Sequence, residues 1–330
     1  MLTRMHLKNF KGFRDTEIPE FRKVNLIVGG QNVGKTSLLE AVVFMGGTVL
    51  GTSAPGSRYR LPNIFRPGGE KNNARFWRGI FGTIFEPSGV LVEAMYNNNF
   101  LTQGGIDATY NSSVNVEYFS KENSPQLIKD NIRELVEKHN LVDIHIPIYP
   151  FSIFTKDVTE QVEMYGQLVT KKKKKKILEL LKKIDSRVEG IDAVAPDGEH
   201  LVYVELSNNS ELLPLSQLGH GFTRLFELYT GLAVTDSKLA LIDEIENGIH
   251  YSALPTVFQG IRELSESSGV QSIITTHSLE CIQAAYEVFK DKPEDFQIIR
   301  LERTEDDNVR AVAVNDENLA TVMASGWEIR

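Results

Sequence analysis

The segment Val24-Asn25-Leu26-Ile27-Val28-Gly29-Gly30-Gln31-Asn32-Val33-Gly34-Lys35-Thr36-Ser37-Leu38-Leu39 carries the strongest fold signal in the chain. An apolar run short enough for one strand leads into a glycine-rich turn, and an apolar helix pattern follows it through Val43. Gly29, Gly34, Lys35 and Thr36 match G-x-x-x-x-G-K-[ST] at every specified position, in the strand–turn–helix context that the motif needs. Glycines let the backbone curl so that the N–H groups of Gly30, Gln31, Asn32 and Val33 face an anion. The helix N-terminus adds the positive end of its dipole. Lys35 then reaches the outer phosphates of a nucleotide, Thr36 supplies a hydroxyl to Mg2+, and Gly29 through Ser37 line the expected nucleotide site.

Three further clusters lie downstream. Leu239-Ala240-Leu241-Ile242 reads as a buried strand ending in Asp243-Glu244. Open α/β sheets bind ligands at the carboxyl ends of their strands. Asp243 is therefore expected in the Mg2+ shell, and Glu244 as the general base for an attacking water. Ile273-Ile274-Thr275-Thr276 is a second such strand, and it delivers His277 at its tip, 34 residues after Asp243. Leu218-Gly219-His220-Gly221-Phe222-Thr223-Arg224 is a second glycine-rich turn opening a helix. A second anion cradle in one chain makes sense if it serves a nucleotide held by another subunit.

These four clusters, in this order, resemble the ABC-type ATPase heads of the SMC-like superfamily, and more narrowly the OLD-family and AAA_15/AAA_21-like ATPases of bacterial and phage defence systems. Leu7 through Phe13 resembles the first strand and turn of that superfamily, Gly29 through Thr36 its Walker A loop, and Leu239 through Glu244 its Walker B strand. Glu246-Asn247-Gly248-Ile249-His250 resembles the D-loop, and His277 the switch histidine. Gln31 stands where the Walker A loop usually has Asn. The signature loop departs from Leu-Ser-x-Gly-x-x-Arg in that Gly219 replaces the serine. The resemblance implies an α/β P-loop NTPase fold with a mixed sheet, N-terminal antiparallel strands and an inserted α/β lid region. It implies ATP and Mg2+ as ligands, catalysis by Glu244 and His277, and metal ligation by Thr36 and Asp243. It also implies pairing of two heads, with Gly219, His220, Gly221 and Arg224 contacting the partner's ATP in trans. The output implied is a conformational change passed to an effector, a nuclease or toxin supplied in trans, or to DNA; the alternatives are an ATPase acting directly in DNA repair or nuclease activity and an ATP-binding scaffold without turnover.

The chain has 330 residues, and its 36 Lys+Arg against 44 Asp+Glu leave a net charge of −8. At about 150 residues per domain this predicts two units. The motifs place an ATPase head in residues 1–89 and 191–330 and an inserted subdomain in 90–190, with a helix expected at Ile128–His139. Acidic balance argues against coating of nucleic acid by the whole surface. Residues 171–183 nevertheless hold eight Lys and one Glu, a local +7, so a DNA contact through Lys171–Lys176 is an expectation of its own. One cysteine, Cys281, excludes an internal disulfide framework. No apolar run reaches the roughly 18 residues of a membrane span, and a cytoplasmic location is expected. Glu305-Asp306-Asp307-Asn308 lies between two strand-like runs and reads as a hairpin turn rather than the acidic centre of a nuclease.

Overall fold

The structure is a computed structural model, and it describes residues 1–47, 90–96, 99–106, 115–119, 148–151, 156–196, 198–236 and 238–314. The expected helix at Ile128–His139 lies outside the described residues.

Alternation along the strands builds two cores on the two faces of one sheet. The six-stranded sheet runs in the order β14 (Val309–Val314), β13 (Phe296–Arg303), β3 (Val24–Gly29), β12 (Gln271–Thr275), β11 (Leu239–Ile242), β7 (Ile148–Phe151). Its strands are parallel except β14, which returns antiparallel to β13. Parallel strands are covered on both faces, which is why β3 and β11 read as continuous apolar runs. Val24, Leu26, Val28, Ala240, Ile242 and Ile274 point into one core, and Ile27, Leu239, Leu241 and Ile273 into the other. Each fully buried Leu, Ile or Phe contributes roughly 1.5–3 kcal/mol.

The first core is closed by helices. These are α2 (Val158–Thr170), α3 (Lys174–Ile184), α4 (His220–Val234), α5 (Leu254–Ser268) and α6 (Leu279–Phe289), with the small sheet β8 (Val188–Val194), β9 (Leu201–Leu206), β10 (Leu213–Pro214). Local chemistry starts and stops them. Asp157 caps α2 by accepting from the Glu160 N–H, Ser278 caps α6 by accepting from that of Cys281, and Gly269 ends α5 at φ +69°. The second core is closed by α1 (Lys35–Gly47) and by β1 (Leu2–Phe10) and β2 (Phe13–Ile18) of an antiparallel sheet. Buried Gln271 ties the two sheets. Its Oε1 accepts from the Leu2 N–H, and its Nε2 donates to the carbonyls of Leu2 and Arg22.

The inserted subdomain expected at 90–190 is not a separate unit in the strand pairing. The antiparallel sheet runs β2, β1, β4 (Val90–Tyr96), β5 (Asn99–Ile106), β6 (Asn115–Phe119), so β4 sits directly against β1. Likewise β7 pairs with β11, and α2 and α3 pack against α4. The cause is backbone satisfaction. β1 and β11 each present an edge of N–H and C=O groups, and strands from this span complete both. Motif positions, on which the cut at residue 90 rested, carry no information about such long-range pairing.

The lysine strip also changes character. Lys171 pairs with Asp236 at 2.9 Å, Lys174 with Asp192 at 2.5 Å, and Lys183 with Glu263 at 2.8 Å, while Lys176 also pairs with Glu263. Burial would raise the Glu263 carboxyl, but hydrogen bonds from Lys176 and Lys183 hold it down at about 2. Half of the eight lysines therefore have acidic partners within the chain, and the strip offers nucleic acid less than its formal +7.

A candidate ATPase site at the carboxyl edge of the central sheet

The carboxyl ends of β3, β12 and β11 are neighbours, and they bring the Walker A-like turn, Thr275–His277 and Asp243–Glu244 to one edge. The turn has the backbone its glycines imply. Gly29 has φ +140°, and a Cβ there would lie 2.4 Å from the Leu301 carbonyl oxygen. Gly34 has φ +107° against the Phe13 ring. Asn32 adopts φ +57°, a region Asn tolerates better than most residues. Val33 anchors the turn in the second core, while Gly30, Gln31 and Asn32 face solvent.

Lys35 is buried, and its ammonium donates to the carbonyls of Gly29 and Gly30, each at 2.7 Å. Burial lowers its pKa to about 8, against the pull of Glu246, Asp243 and Glu244 in the other direction. Those three carboxylates place the acidic cluster within electrostatic reach of the Lys35 ammonium. Thr36 follows at the start of α1, half-buried like Ser37, and its hydroxyl lies 3.2 Å from both carboxylate oxygens of Asp243.

Asp243 is 6% exposed, and burial raises its pKa although hydrogen bonds from Thr275 and Thr36 lower it. Glu244 leaves the strand at φ +46°, a left-handed conformation for a side chain that ordinarily avoids it. Its Oε1 comes 4.0 Å from Nε2 of exposed His277. The His277 N–H donates to Glu246 at 2.7 Å. Two residues to which the sequence reading gave no chemical role are central here. Thr275 hydrogen-bonds both acidic positions, and Glu246 binds the His277 backbone and faces Lys35. The sequence signal for Thr275 was a polar residue directly after the apolar pair Ile273-Ile274.

The site fits Mg2+. A buried carboxylate whose oxygens meet the hydroxyls of Thr36 and Thr275, rather than a cationic side chain, is a hard oxygen donor set. Thr36 and Asp243 would hold the ion.

The signature-like turn divides in two. Gly219, at φ +89°, and His220 are exposed at the start of α4. Gly221 packs on the D-loop-like segment so closely that a Cβ would lie 2.0 Å from the Gly248 carbonyl oxygen. Arg224 was expected to act in trans, and its geometry corrects that. It is 1% exposed, and its guanidinium donates to the carbonyls of Asn247 (2.8 Å), Asp243 (2.8 Å) and Glu244 (2.9 Å) of its own chain. Three backbone acceptors turning away from β11 need donors, and Arg224, one helical turn into α4, supplies them. The acidic Glu305–Asn308 segment forms the expected hairpin turn between β13 and β14. Asp307 there pairs with Arg303 and with Arg14, the latter at 3.2 Å. Among the described residues no cluster of three or more His, Cys, Asp or Glu forms a metal site.

The AAA_21 family, described as "AAA domain, putative AbiEii toxin, Type IV TA system", matches residues 24–282. The chain belongs to this family. It is 22% identical to a Helicobacter pylori protein named ATP/GTP phosphatase, over 88% of this chain and 89% of that one. Its fold is that of SMC heads. It matches an SMC head bound to the C-winged helix domain of ScpA at TM-score 0.62 and 16% identity, covering 96% of this chain and 98% of that one. It matches the Thermotoga maritima SMC head domain at TM-score 0.54 and 14% identity, covering 95% and 99%. It also matches an SMC head with an extended coiled coil from Pyrococcus furiosus, bound to the C-terminal domain of ScpA, at 0.60 and 13%, covering 98% of each chain. Family and fold make this AAA_21 member an ATPase of the P-loop type. No helix among the described residues is long and apolar enough to cross a membrane.

Proposed function

We propose that the chain hydrolyses ATP with Glu244 as general base, and that ATP pairs its head with a second copy. The catalytic part rests on one observation: Lys35, Thr36, Asp243, Glu244 and His277 converge on the carboxyl edge of three adjacent parallel strands. The turn from Gly29 to Gly34 and the α1 N-terminus bind the triphosphate, and Lys35 is drawn back to full charge beside it. Thr36 and Asp243 would hold Mg2+, which would supply neutralising charge at the outer phosphates. A water oxygen bonds to the γ-phosphorus, the bond from that phosphorus to the β,γ-bridging oxygen breaks, and Glu244 takes the water's proton. ADP and phosphate are left. His277, opposite Glu244, holds the γ-phosphate or the water. The name of the Helicobacter pylori relative agrees with this reaction class.

The pairing rests on the turn at Gly219–Gly221. It begins a helix, with Gly219 and His220 exposed and Gly221 packed on the Gly248 carbonyl. A second copy's nucleotide would complete it. Loss of the γ-phosphate on hydrolysis would separate the heads and pass a conformational change to an effector. The family's description as a putative AbiEii toxin of a Type IV TA system supports a role in defence.

Glu244→Gln tests both parts. ATP binding should persist, phosphate release should fall by roughly 100-fold or more, and light scattering should show a dimer stable only with ATP. Wild-type phosphate release by that variant would remove Glu244 as base, and a monomer at saturating ATP would remove the pairing.

A further inference from the structure

We propose that Thr275 is the positioning residue of this site, holding Asp243 and Glu244 in their two different tasks through one hydroxyl. The inference rests on the catalytic reading above. β12 is the one strand flanked by both β3 and β11, so its carboxyl end alone adjoins the phosphate turn on one side and the acidic pair on the other. Thr275 is the last residue of β12 and is fully buried.

Its hydroxyl is saturated in a definite direction. The Glu244 N–H donates to Oγ1 at 2.8 Å. Oγ1 lies 2.7 Å from Asp243 Oδ1, which as a carboxylate oxygen can only accept, so the Thr275 proton points there. The Thr36 hydroxyl reaches the same carboxylate. A relay therefore runs from the Glu244 amide through Thr275 to Asp243, with Thr36 on the far side of the carboxylate. At one end it orients the carboxylate expected to hold Mg2+. At the other it pins the amide of a residue in the left-handed region, which turns the Glu244 side chain off the strand toward His277. Without that hydrogen bond Glu244 would be free to relax to ordinary backbone angles, and its carboxylate would swing from its place. The β12 backbone adds to the tie, because the Ile245 N–H donates to the Thr275 carbonyl at 3.2 Å.

Thr275→Val keeps the β-branched shape and removes the hydroxyl, and Thr275→Ser keeps the hydroxyl and removes the methyl. In the nucleotide-free protein the Glu244 amide should exchange slowly with deuterium although it lies beyond the end of β11. It should exchange at least tenfold faster in the valine variant and near the wild-type rate in the serine variant. With ATP, valine should lower kcat by roughly 10–100-fold, the range found when a group supporting a metal ligand is lost. KM should stay within about threefold, and serine should restore kcat. Fast exchange of the Glu244 amide in the wild type would overturn the proposal even if the valine variant does not fold. A valine variant with wild-type kcat would overturn it, and so would a serine variant as slow as valine. Glu244→Gln assayed alongside separates the two readings. Its full turnover would sink the base assignment, while amide exchange would still judge Thr275.

Discussion

The two glycine-rich turns that open helices in this chain, at Gly29–Gly34 and at Gly219–Gly221, look alike in sequence and differ in what surrounds them. The first is complete in itself. It has a buried lysine bound to its own carbonyls, a hydroxyl beside a buried carboxylate, and positive φ at Gly29, Asn32 and Gly34. The second has spent its cation inward. Arg224 braces the loop after β11, which leaves Gly219 and His220 at the surface. A turn that offers only backbone donors and a helix end binds an anion weakly unless another body brings the countercharge. The comparison teaches that a glycine-rich turn is a self-contained anion cradle only where its own cation stays beside it.

Arg224→Met breaks this comparison most directly. With the guanidinium as an internal brace, three backbone carbonyls lose their donor, that of Asp243 buried, and the nearby carboxylates lose a buried counter-charge. Urea unfolding should then show a loss of roughly 3–5 kcal/mol. Unchanged stability with weakened ATP-dependent pairing would return Arg224 to a role in trans.

Glu227 sharpens the same contrast from within α4. It is fully buried, its Oε1 accepts from Gln161 Nε2 and the Lys156 N–H at 2.9 Å each, and its Oε2 has no partner. Burial raises its pKa from 4.5 to about 7, more than those hydrogen bonds and Lys156 lower it. The folded state therefore holds the proton more tightly than the unfolded one. The stability this contributes is full below about pH 4.5 and is lost as pH rises through about 7, a change of about 3 kcal/mol. Glu227→Gln should flatten that fall between pH 5 and pH 8 relative to wild type in parallel urea titrations. An identical pH slope in both proteins would refute the assignment.

The glycines give the smallest effects. Gly221→Ala forces a Cβ onto the Gly248 carbonyl oxygen and should cost about 1–3 kcal/mol in thermal unfolding. Gly219→Ala, with open space around it and only its φ to strain, should cost about 1 kcal/mol. Equal costs would mean that the close approach of α4 to the loop after β11 is not what Gly221 provides.

Much of the fold was legible because its signals are local. β11 begins and ends where the four apolar residues before Asp243 predict, α4 opens at His220 inside the glycine-rich turn, β12 ends at Thr275 within a residue of the expected strand end, and the Glu305–Asn308 hairpin turn is present. Strand period, glycine turns and helix stops act over a few residues, and the sequence shows them directly. β7 escaped notice because Ile148-Tyr149-Pro150-Phe151 is a four-residue edge strand containing proline, with no alternation to read. α2 escaped because its apolar stripe is interrupted by Gln161, a residue buried for its hydrogen bond to Glu227.

By itself, then, the sequence determined the chemistry on offer: a phosphate turn, two acids and a histidine at strand ends, and a second glycine turn. Tertiary structure alone settled who acts on whom. The order β3, β12, β11 makes Thr275 the neighbour of both acids, the depth of α4 turns Arg224 inward, and the open edges of β1 and β11 take up β4 and β7. The physical reason is the same in each case. A buried polar group must find its partner across the chain, and the location of that partner is a property of the packed fold.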